Sequence, residues 1–417
     1  LLASNTDYTH NAEFSVTQDI TVNSLTVGKG SGNGAGNTAF GIDALKTNSA
    51  GKFNVANGNN ALKSNESGEF NVAVGYEALN KNTTGDNNVA NGPYALYSNE
   101  TGNSNVANGR HALYSNKSGN YNVANGFGAL TTNNSGSHNV ANGYNALTSN
   151  SGNDNVANGS EALYKNTTGQ FNTANGRRAL YSNTTGGTNT ANGSDALYSN
   201  QTGGTNTAIG SSALYSNTFG HYNTAIGSSA LYSNTTGEYN VANGYNALKS
   251  NESGQFNTAN GDNALKSNET GNFNTAFGSN AGNNNINTGN NTFLGSYADL
   301  NSSGAAWTQS TALGYSAKIT ASNQIMLGTN TETVVIPGDL SLNGSVSFPV
   351  GSISASAISG GSSGAQGDTG AQGDQGAQGD TGAQGDQGAQ GDQGAQGDQG
   401  AQGDQGAQGD QGAQGDQ

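Results

Sequence analysis

The sequence predicts an all-β fold: a trimeric parallel β-solenoid, or β-roll, of 17-residue repeats followed by a collagen-like triple helix. Asn-(Val/Thr)-Ala recurs every 17 residues, and Gly occupies every third position from Gly364 to Gln417. Only 31% of the 417 residues are hydrophobic and 10% are charged, whereas 66 are Gly. So little apolar surface cannot stabilise a large globular core against chain entropy. The 29 Phe and Tyr residues recur at regular intervals, which favours an ordered repetitive fold over disorder.

The repeat has fifteen copies, and five of its positions do not vary. Positions one and twelve are Asn, three and eight are Ala, and five is Gly, while position nine is Leu in all copies but the last. The copies begin at Asn37, Asn54, Asn71, Asn88, Asn105, Asn122, Asn139, Asn155, Asn172, Asn189, Asn206, Asn223, Asn240, Asn257 and Asn274, and the copy at Asn139 has 16 residues. This length fits two short strands and two turns, so each copy is predicted to be one coil that pairs with its neighbours.

Alternation along a strand assigns the faces of each coil. Leu at position nine, with Ala at three or eight opposite, is predicted to fill the interior. Asn residues stacked between coils can bond amide to amide, and the predicted structural ladder includes Asn105, Asn122, Asn139, Asn155, Asn172 and Asn189. Position four is Asn in ten copies and apolar in five, which favours a contact between subunits. The candidates for this trimer face are Phe40, Val74, Ile209, Ile226 and Phe277.

The C-terminal run from Gly364 contains eighteen uninterrupted Gly-x-y triplets. The crowded axis of a triple helix accepts only Gly, and a flexible Gly-rich linker would not keep this register. The run therefore predicts three chains. It contains nine Asp and no Pro, so we expect its assembly to depend on trimerisation elsewhere in the chain.

Five segments follow from these patterns. We predict a strand-rich lead-in and cap at 1–36, the solenoid at 37–290, and degenerate repeats with a closing cap at 291–344. A neck and linker follow at 345–363, and the collagen-like segment occupies 364–417. Because the chain begins at Leu1 rather than Met and ends within a repeat, we expect both ends to be processed, truncated or incompletely sequenced.

The sequence offers no pattern for catalysis, a metal site or a cofactor. There is no Cys, and His10, His111, His138 and His221 lie at different repeat positions, which is typical of surface His. A net charge of −15 without a basic patch argues against nucleic-acid binding. No apolar run is long enough to cross a membrane. We therefore expect a protein that is not an enzyme.

Two recurring features carry functional hypotheses. Tyr at position ten follows the interior Leu and is predicted to point outward, either as a stabilising stack or as a glycan or receptor contact. This candidate ladder contains Tyr97, Tyr114, Tyr164, Tyr181, Tyr198, Tyr215 and Tyr232. Most copies also carry Asn-x-(Ser/Thr) at position twelve, formally a glycosylation acceptor. Turn geometry explains the same residues, and we favour the turn.

The motif Asn-Thr-Ala-Ile-Gly at 206–210 and 223–227 resembles the YadA-like heads of trimeric autotransporter adhesins and similar repeats in phage tail fibres. Ser310–Ala317, Asn323–Gly328 and Thr331–Leu340 continue the likeness, and Ile20–Gly28 resembles the lead-in of tail-fibre repeats. The resemblance covers about residues 20–345 and implies a trimeric parallel β-roll. This chain departs from the family pattern in two respects, the frequent Asn at position four and the longer coil.

The expected function is a structural homotrimeric fibre, foremost a phage tail fibre used for host attachment, extracellular and on the virion surface. The alternative is a bacterial cell-surface trimeric adhesin or extracellular filament. A virion fibre predicts a particle-attachment segment before Leu1, and an adhesin predicts a membrane anchor beyond Gln417. A polysaccharide-degrading tailspike would need a carboxylate pair on one face, and no such pair recurs.

Overall fold

The computed structural model describes residues 20–22, 25–31 and 35–333, together with 335 and 337. The chain divides into two units, Leu1–Val334 and Val335–Gln417, and the strands of the repeats belong to the first. The predicted neck and the collagen-like run lie outside the described residues, as do the first 19 positions. The described residues form strands and turns and contain no helix, so this part of the chain is all-β.

In the described part of the chain, twenty-two strands, most of three residues, follow one another. The first eleven are β1 Ile20–Val22, β2 Leu25–Gly28, β3 Thr38–Ile42, β4 Val55–Asn57, β5 Val72–Val74, β6 Val89–Asn91, β7 Val106–Asn108, β8 Val123–Asn125, β9 Val140–Asn142, β10 Val156–Asn158 and β11 Thr173–Asn175. The others are β12 Thr190–Asn192, β13 Thr207–Ile209, β14 Thr224–Ile226, β15 Val241–Asn243, β16 Thr258–Asn260, β17 Thr275–Phe277, β18 Thr292–Leu294, β19 Asp299–Leu300, β20 Thr311–Leu313, β21 Lys318–Ile319 and β22 Ile325–Leu327.

One long parallel sheet runs along the unit in repeat register. Each Ala at position three of the fifteen repeats pairs with the residue at position three of the next coil, which is Ala in every pair, as for Ala107 and Ala124, except that Ala276 pairs with Phe293. Strands β18, β20 and β22 extend the same sheet beyond the fifteenth repeat. At the other end, β1 and β2 pair antiparallel, and β2 pairs antiparallel with β3. The hairpin thereby covers the edge that β3 would otherwise present.

The prediction of two strands per repeat is wrong for the repeats from Asn37 to Asn290. Each of these coils contains a single strand, which covers positions two to four in all but the first coil, where β3 reaches position six, and the rest of the coil is turn. Positions seven and nine both adopt left-handed backbone conformations, with φ of 63° at His111 and 53° at Leu113. Alternating left-handed residues bend the chain, so this segment cannot extend into a second strand.

Backbone hydrogen bonds nevertheless join the coils on every side. In the coil that begins at Asn88, the Val89 and Leu96 amides donate to carbonyls of the following coil at 2.8 and 2.9 Å. The Gly92, Tyr94 and Ser104 amides donate to carbonyls of the preceding coil at 2.8–2.9 Å. The turn segments are hydrogen-bonded as regularly as the strands. Each coil therefore satisfies the N–H and C=O groups of its backbone through bonds to the neighbouring coils.

The interior contains one Leu and two Ala from each coil. The Ala residues at both position three and position eight are buried, as is Leu at position nine. The sizes are exchanged across the last repeat and the rung after it: Gly282 of the last repeat stands where earlier coils have Leu, and Phe293 of the next rung stands where they have the first Ala. A Cβ added at Gly282 would approach the Phe293 ring to 2.7 Å. The ring therefore fills the volume that Leu occupies elsewhere.

Candidate functional site: the polar ladders and aromatic surfaces of the solenoid

Two rows of Asn side chains run through the buried interior. At position one, the backbone N–H of Asn105 donates to Asn88 Oδ1 at 2.9 Å, and the side-chain Nδ2 of Asn105 donates to the Gly119 carbonyl at 2.9 Å. At position twelve, Asn116 Nδ2 donates to Asn99 Oδ1 at 2.8 Å and to Gly119 O at 3.1 Å. The pattern repeats through Asn122, Asn139, Asn155, Asn172 and Asn189. Buried amides are thus stabilised by bonds both within and between coils.

The position-twelve ladder bears on the glycosylation hypothesis. Asn99, Asn116 and Asn133 have no exposed surface, and each Nδ2 donates both to a Gly carbonyl and to the preceding Asn. A glycan attached at this nitrogen would remove a donor and require the side chain to leave the interior. The geometry therefore favours turn and ladder formation as the role of these Asn residues.

The Tyr ladder at position ten is half-buried rather than fully exposed. From Tyr164 through Tyr181, Tyr198, Tyr215 and Tyr232, successive ring centroids lie 5.0–5.2 Å apart with planes inclined by 5–7°. Tyr97 and Tyr114 form a separate stacked pair at 5.1 Å. In such a stack each ring covers the face of the next, so sugar rings have access mainly to edges and hydroxyls. The arrangement favours a stabilising stack for the five consecutive Tyr.

A second stacked row, at position seventeen, was not singled out by the sequence analysis. Tyr222, Tyr239, Phe256 and Phe273 lie in register with centroids 4.9 Å apart and are 44–55% exposed. Position seventeen also holds Thr, Ser, Asn and Asp in other coils, which hides the row from a search for invariant residues. An aromatic at this one position in consecutive copies was the signal available in the sequence.

Between Tyr76 and Tyr144, rings from three repeat positions meet in a single surface, and we call it the aromatic patch. Tyr94 meets Tyr76 at 5.3 Å and 77°, His111 at 5.2 Å and 52°, and Tyr114 at 6.2 Å and 63°. The patch consists of Tyr76, Tyr94, Tyr97, His111, Tyr114, Phe127 and Tyr144. These residues occupy positions six, seven and ten of five consecutive coils. Most of these contacts are edge-on or tilted, unlike those of the stacked ladders.

Charged and polar groups lie among the rings of the patch. The guanidinium of Arg110 lies 5.4 Å from the centre of the Phe127 ring, and Lys81 Nζ lies 5.3 Å from that of Tyr97. Burial, and then the charge of Arg110, lower the pKa of His111, so its imidazole is neutral at pH 7. The sequence suggested that His111 is a solvated surface His. In the structure it is instead a partly buried member of the patch. The patch combines apolar faces with hydrogen-bonding groups.

The comparisons with known proteins concern the C-terminal segment. The family described as Collagen triple helix repeat (20 copies) matches residues 359–417. That segment is a run of collagen repeats. No curated protein matches the chain. Collagen repeats assemble as three chains, so the match implies that this protein forms trimers.

In a trimer, the residues at position four are the predicted contacts between subunits, because they face outward on the strand side of each coil. Phe40, Val74, Ile209, Ile226 and Phe277, the predicted trimer-face residues, are 36–49% exposed in the single chain. Leu294, Leu313 and Leu327 continue the row over the last three rungs and are 41–44% exposed. Where position four is Asn, an exposed ladder forms instead, as between Asn108 and Asn125 at 2.8 Å. The subunit-contact role of the apolar residues stays a prediction.

A buried carboxylate marks the closing coils. Asp299 occupies position nine, and its oxygens accept hydrogen bonds from the Asn284 and Leu300 amides at 2.8–3.0 Å. The apolar side chains buried in the core here are Leu300, which follows Asp299, and Ile319, which pairs with Leu300 one coil later. Burial raises the pKa of Asp299 to about 6, although the two amides and Lys318 act in the opposite direction.

We expect the stability of these coils to fall as pH rises from about 4 to about 6. The native state holds the Asp299 proton more tightly than the unfolded chain, so this contribution is complete below the unfolded pKa and lost above the folded one. The loss is on the order of 2–3 kcal/mol. Urea unfolding at pH 4 and pH 7 would measure it, with Asp299→Asn as the non-titrating control. An equal pH dependence in both proteins would contradict the assignment.

Among the described residues, no group of three or more His, Asp or Glu side chains is arranged to hold a metal ion. The same part of the chain contains no helix long and apolar enough to cross a membrane. His138 and His221 lie on separate coils, where His221 Nδ1 accepts a hydrogen bond from the Gly204 amide at 3.0 Å. His10 lies outside the described residues.

Proposed function

We propose that this protein is the subunit of a homotrimeric structural fibre, a phage tail fibre used for host attachment. The observation that carries the proposal is the union, in one chain, of an uninterrupted parallel ladder of 17-residue coils with 59 residues of collagen repeat. Both elements are built by repetition along an axis, and the collagen repeats require three chains. Such a protein is suited to span distance and to present a surface.

The solenoid supports this role through its rigidity. Each coil is bonded to its neighbours by backbone amides on all sides, and two interior amide ladders add side-chain bonds. Local bending would break several of these bonds at once in a buried environment. A stiff spacer between an attachment point and a target follows from that construction.

The alternative is a cell-surface trimeric adhesin or extracellular filament of a bacterium. The repeat resemblance is shared between adhesin heads and tail fibres, so it supports both. An extracellular location, on a virion or on a cell, is part of either proposal. The absence of Cys does not oppose it, because hydrogen-bonded repeats need no disulfides for stability.

Sedimentation equilibrium and electron microscopy of the purified chain test the fibre proposal. We expect three times the 41.8 kDa of one chain and rod-like particles. The solenoid rod should measure about 80 Å at roughly 4.8 Å per rung. A compact monomer would overturn the proposal. Immunogold labelling in the source culture with antibody against the solenoid then separates the two settings: labelled viral particles support the tail fibre, and labelled cell envelopes support the adhesin.

A further inference from the structure

We propose that the aromatic patch binds an oligosaccharide of a host cell-surface glycan. The proposal rests on the attachment function and names the part of the fibre that makes contact. It also moves the glycan site away from the five-Tyr stack at position ten and toward the surface around Tyr94 and His111.

The first step is the availability of ring faces. Tyr76 packs edge-on against Tyr94 at 77°, so the two rings do not cover each other face to face. Tyr76, Phe127 and Tyr144 are 44%, 41% and 51% exposed. Phe127 and Tyr144 stack on each other at 5.5 Å and 17°, so in this pair the available face is the one that Tyr144 turns away from Phe127. In the stack from Tyr164 to Tyr232, by contrast, near-parallel rings cover one another. The C–H face of a sugar can therefore lie against rings of the patch more readily than against the stack.

The second step is the polar surroundings of these rings. The Glu77 carboxylate beside the Tyr76 hydroxyl raises the pKa of the Tyr76 phenol. Arg110 and the neutral imidazole of His111 lie beside Phe127. Sugars present apolar faces and hydroxyl edges together. A surface with apolar rings and a few oriented donors and acceptors matches that chemistry.

The third step concerns the extent of the patch, which distinguishes a glycan from a second copy of the chain. The patch begins at Tyr76 and ends at Tyr144, and position six is Asn59 in the coil before it and Ser160 in the coil after it. Subunits packed side by side would use the same face of every coil. A patch confined to five coils, about 19 Å along the axis, instead fits a short oligosaccharide.

Variants at position six provide the test, because this position already accepts Asn at Asn59. The triple variant Tyr76→Asn, Phe127→Asn and Tyr144→Asn removes the exposed rings. Tyr245→Asn is the matched control, since Tyr245 has the same repeat position and is 56% exposed but lies outside the patch. Each trimeric protein would be applied to an array of neutral and acidic oligosaccharides. The best hit would then be titrated by calorimetry, and circular dichroism would verify folding.

We expect the intact protein to bind at least one glycan, the triple variant to bind it at least ten-fold more weakly, and the Tyr245 control to be unchanged. Equal binding by the intact protein and the triple variant would overturn the proposal, as would equal weakening in the control. Failure of the intact trimer to bind any glycan would also overturn it. If the patch then bound a host protein, that protein and not a glycan would be its partner. A failure of the glycan proposal can be distinguished from a failure of the fibre proposal, because the latter is tested by trimer mass and rod shape.

Discussion

Replacing Asn105 with Asp is expected to lower the free energy of unfolding of the solenoid at pH 7 by roughly 3–5 kcal/mol. The substitution preserves shape, but a carboxylate cannot donate to Asn88 Oδ1 or to the Gly119 carbonyl, which Asn105 Nδ2 contacts at 3.1 and 2.9 Å. Asn105 has no exposed surface, so the new charge would be buried against two acceptors. Urea unfolding followed by circular dichroism measures the loss.

Asn108→Asp is the matched control, because it introduces the same charge in the same coil. Asn108 also donates to an Asn of the next coil, at 2.8 Å, but it is exposed on the strand face. We expect a change of about 0.5 kcal/mol or less there, as for most surface substitutions. The Asn105 variant should also recover part of its stability at low pH, where the protonated acid can donate again. Equal effects of the two variants would mean that the interior ladder does not stabilise the fold.

Gly109→Ala is expected to destabilise the solenoid by roughly 3–5 kcal/mol. At φ of +135° an L side chain is strained, and an added Cβ would lie 2.6 Å from the Gly126 carbonyl oxygen of the next coil. Strain costs about 1–3 kcal/mol, and overpacking a close backbone contact costs about as much again. The same contact recurs at the Gly of every repeat, so the neighbouring coil cannot move without disturbing the next.

The control for this prediction is Gly204→Ala at position sixteen. A Cβ there would lie 3.1 Å from the Gly187 carbonyl oxygen, and the Gly204 backbone is not left-handed. Other coils place Asn103 and Asn120 at this position, so a Cβ is already tolerated. We expect a loss of about 1 kcal/mol or less. Comparable melting temperatures for the two variants would contradict the close approach at position five.

Much of the coil could be predicted because each invariant residue has one dominant physical reason. Gly at position five permits a close backbone contact that no side chain allows. Leu at position nine is the one large apolar side chain that each coil but the last contributes to the interior. The second strand was mispredicted for an equally physical reason. Position nine has left-handed φ in every coil that carries Leu, and Leu gives no local signal for that conformation.

The aromatic surfaces could be predicted only in part. A period of 17 predicts rings that stack above one another at the same repeat position, as Tyr181 and Tyr198 do. It does not predict contacts between different positions, such as that of Tyr94 at position seven with Tyr114 at position ten. Those contacts depend on how the turn after Gly at position five folds back, which the single sequence does not specify.

The sequence by itself determined the repeat length, the interior Ala and Leu, the amide ladders and the collagen run. Each of these follows from residues that must occupy equivalent places in successive coils. Only the tertiary structure decided that one strand rather than two forms in each repeat, that the Tyr ladder is half-buried, and that rings from three positions meet in one patch. The reason is that periodicity relates residues along the axis, whereas the path of the chain around it sets which different positions become neighbours.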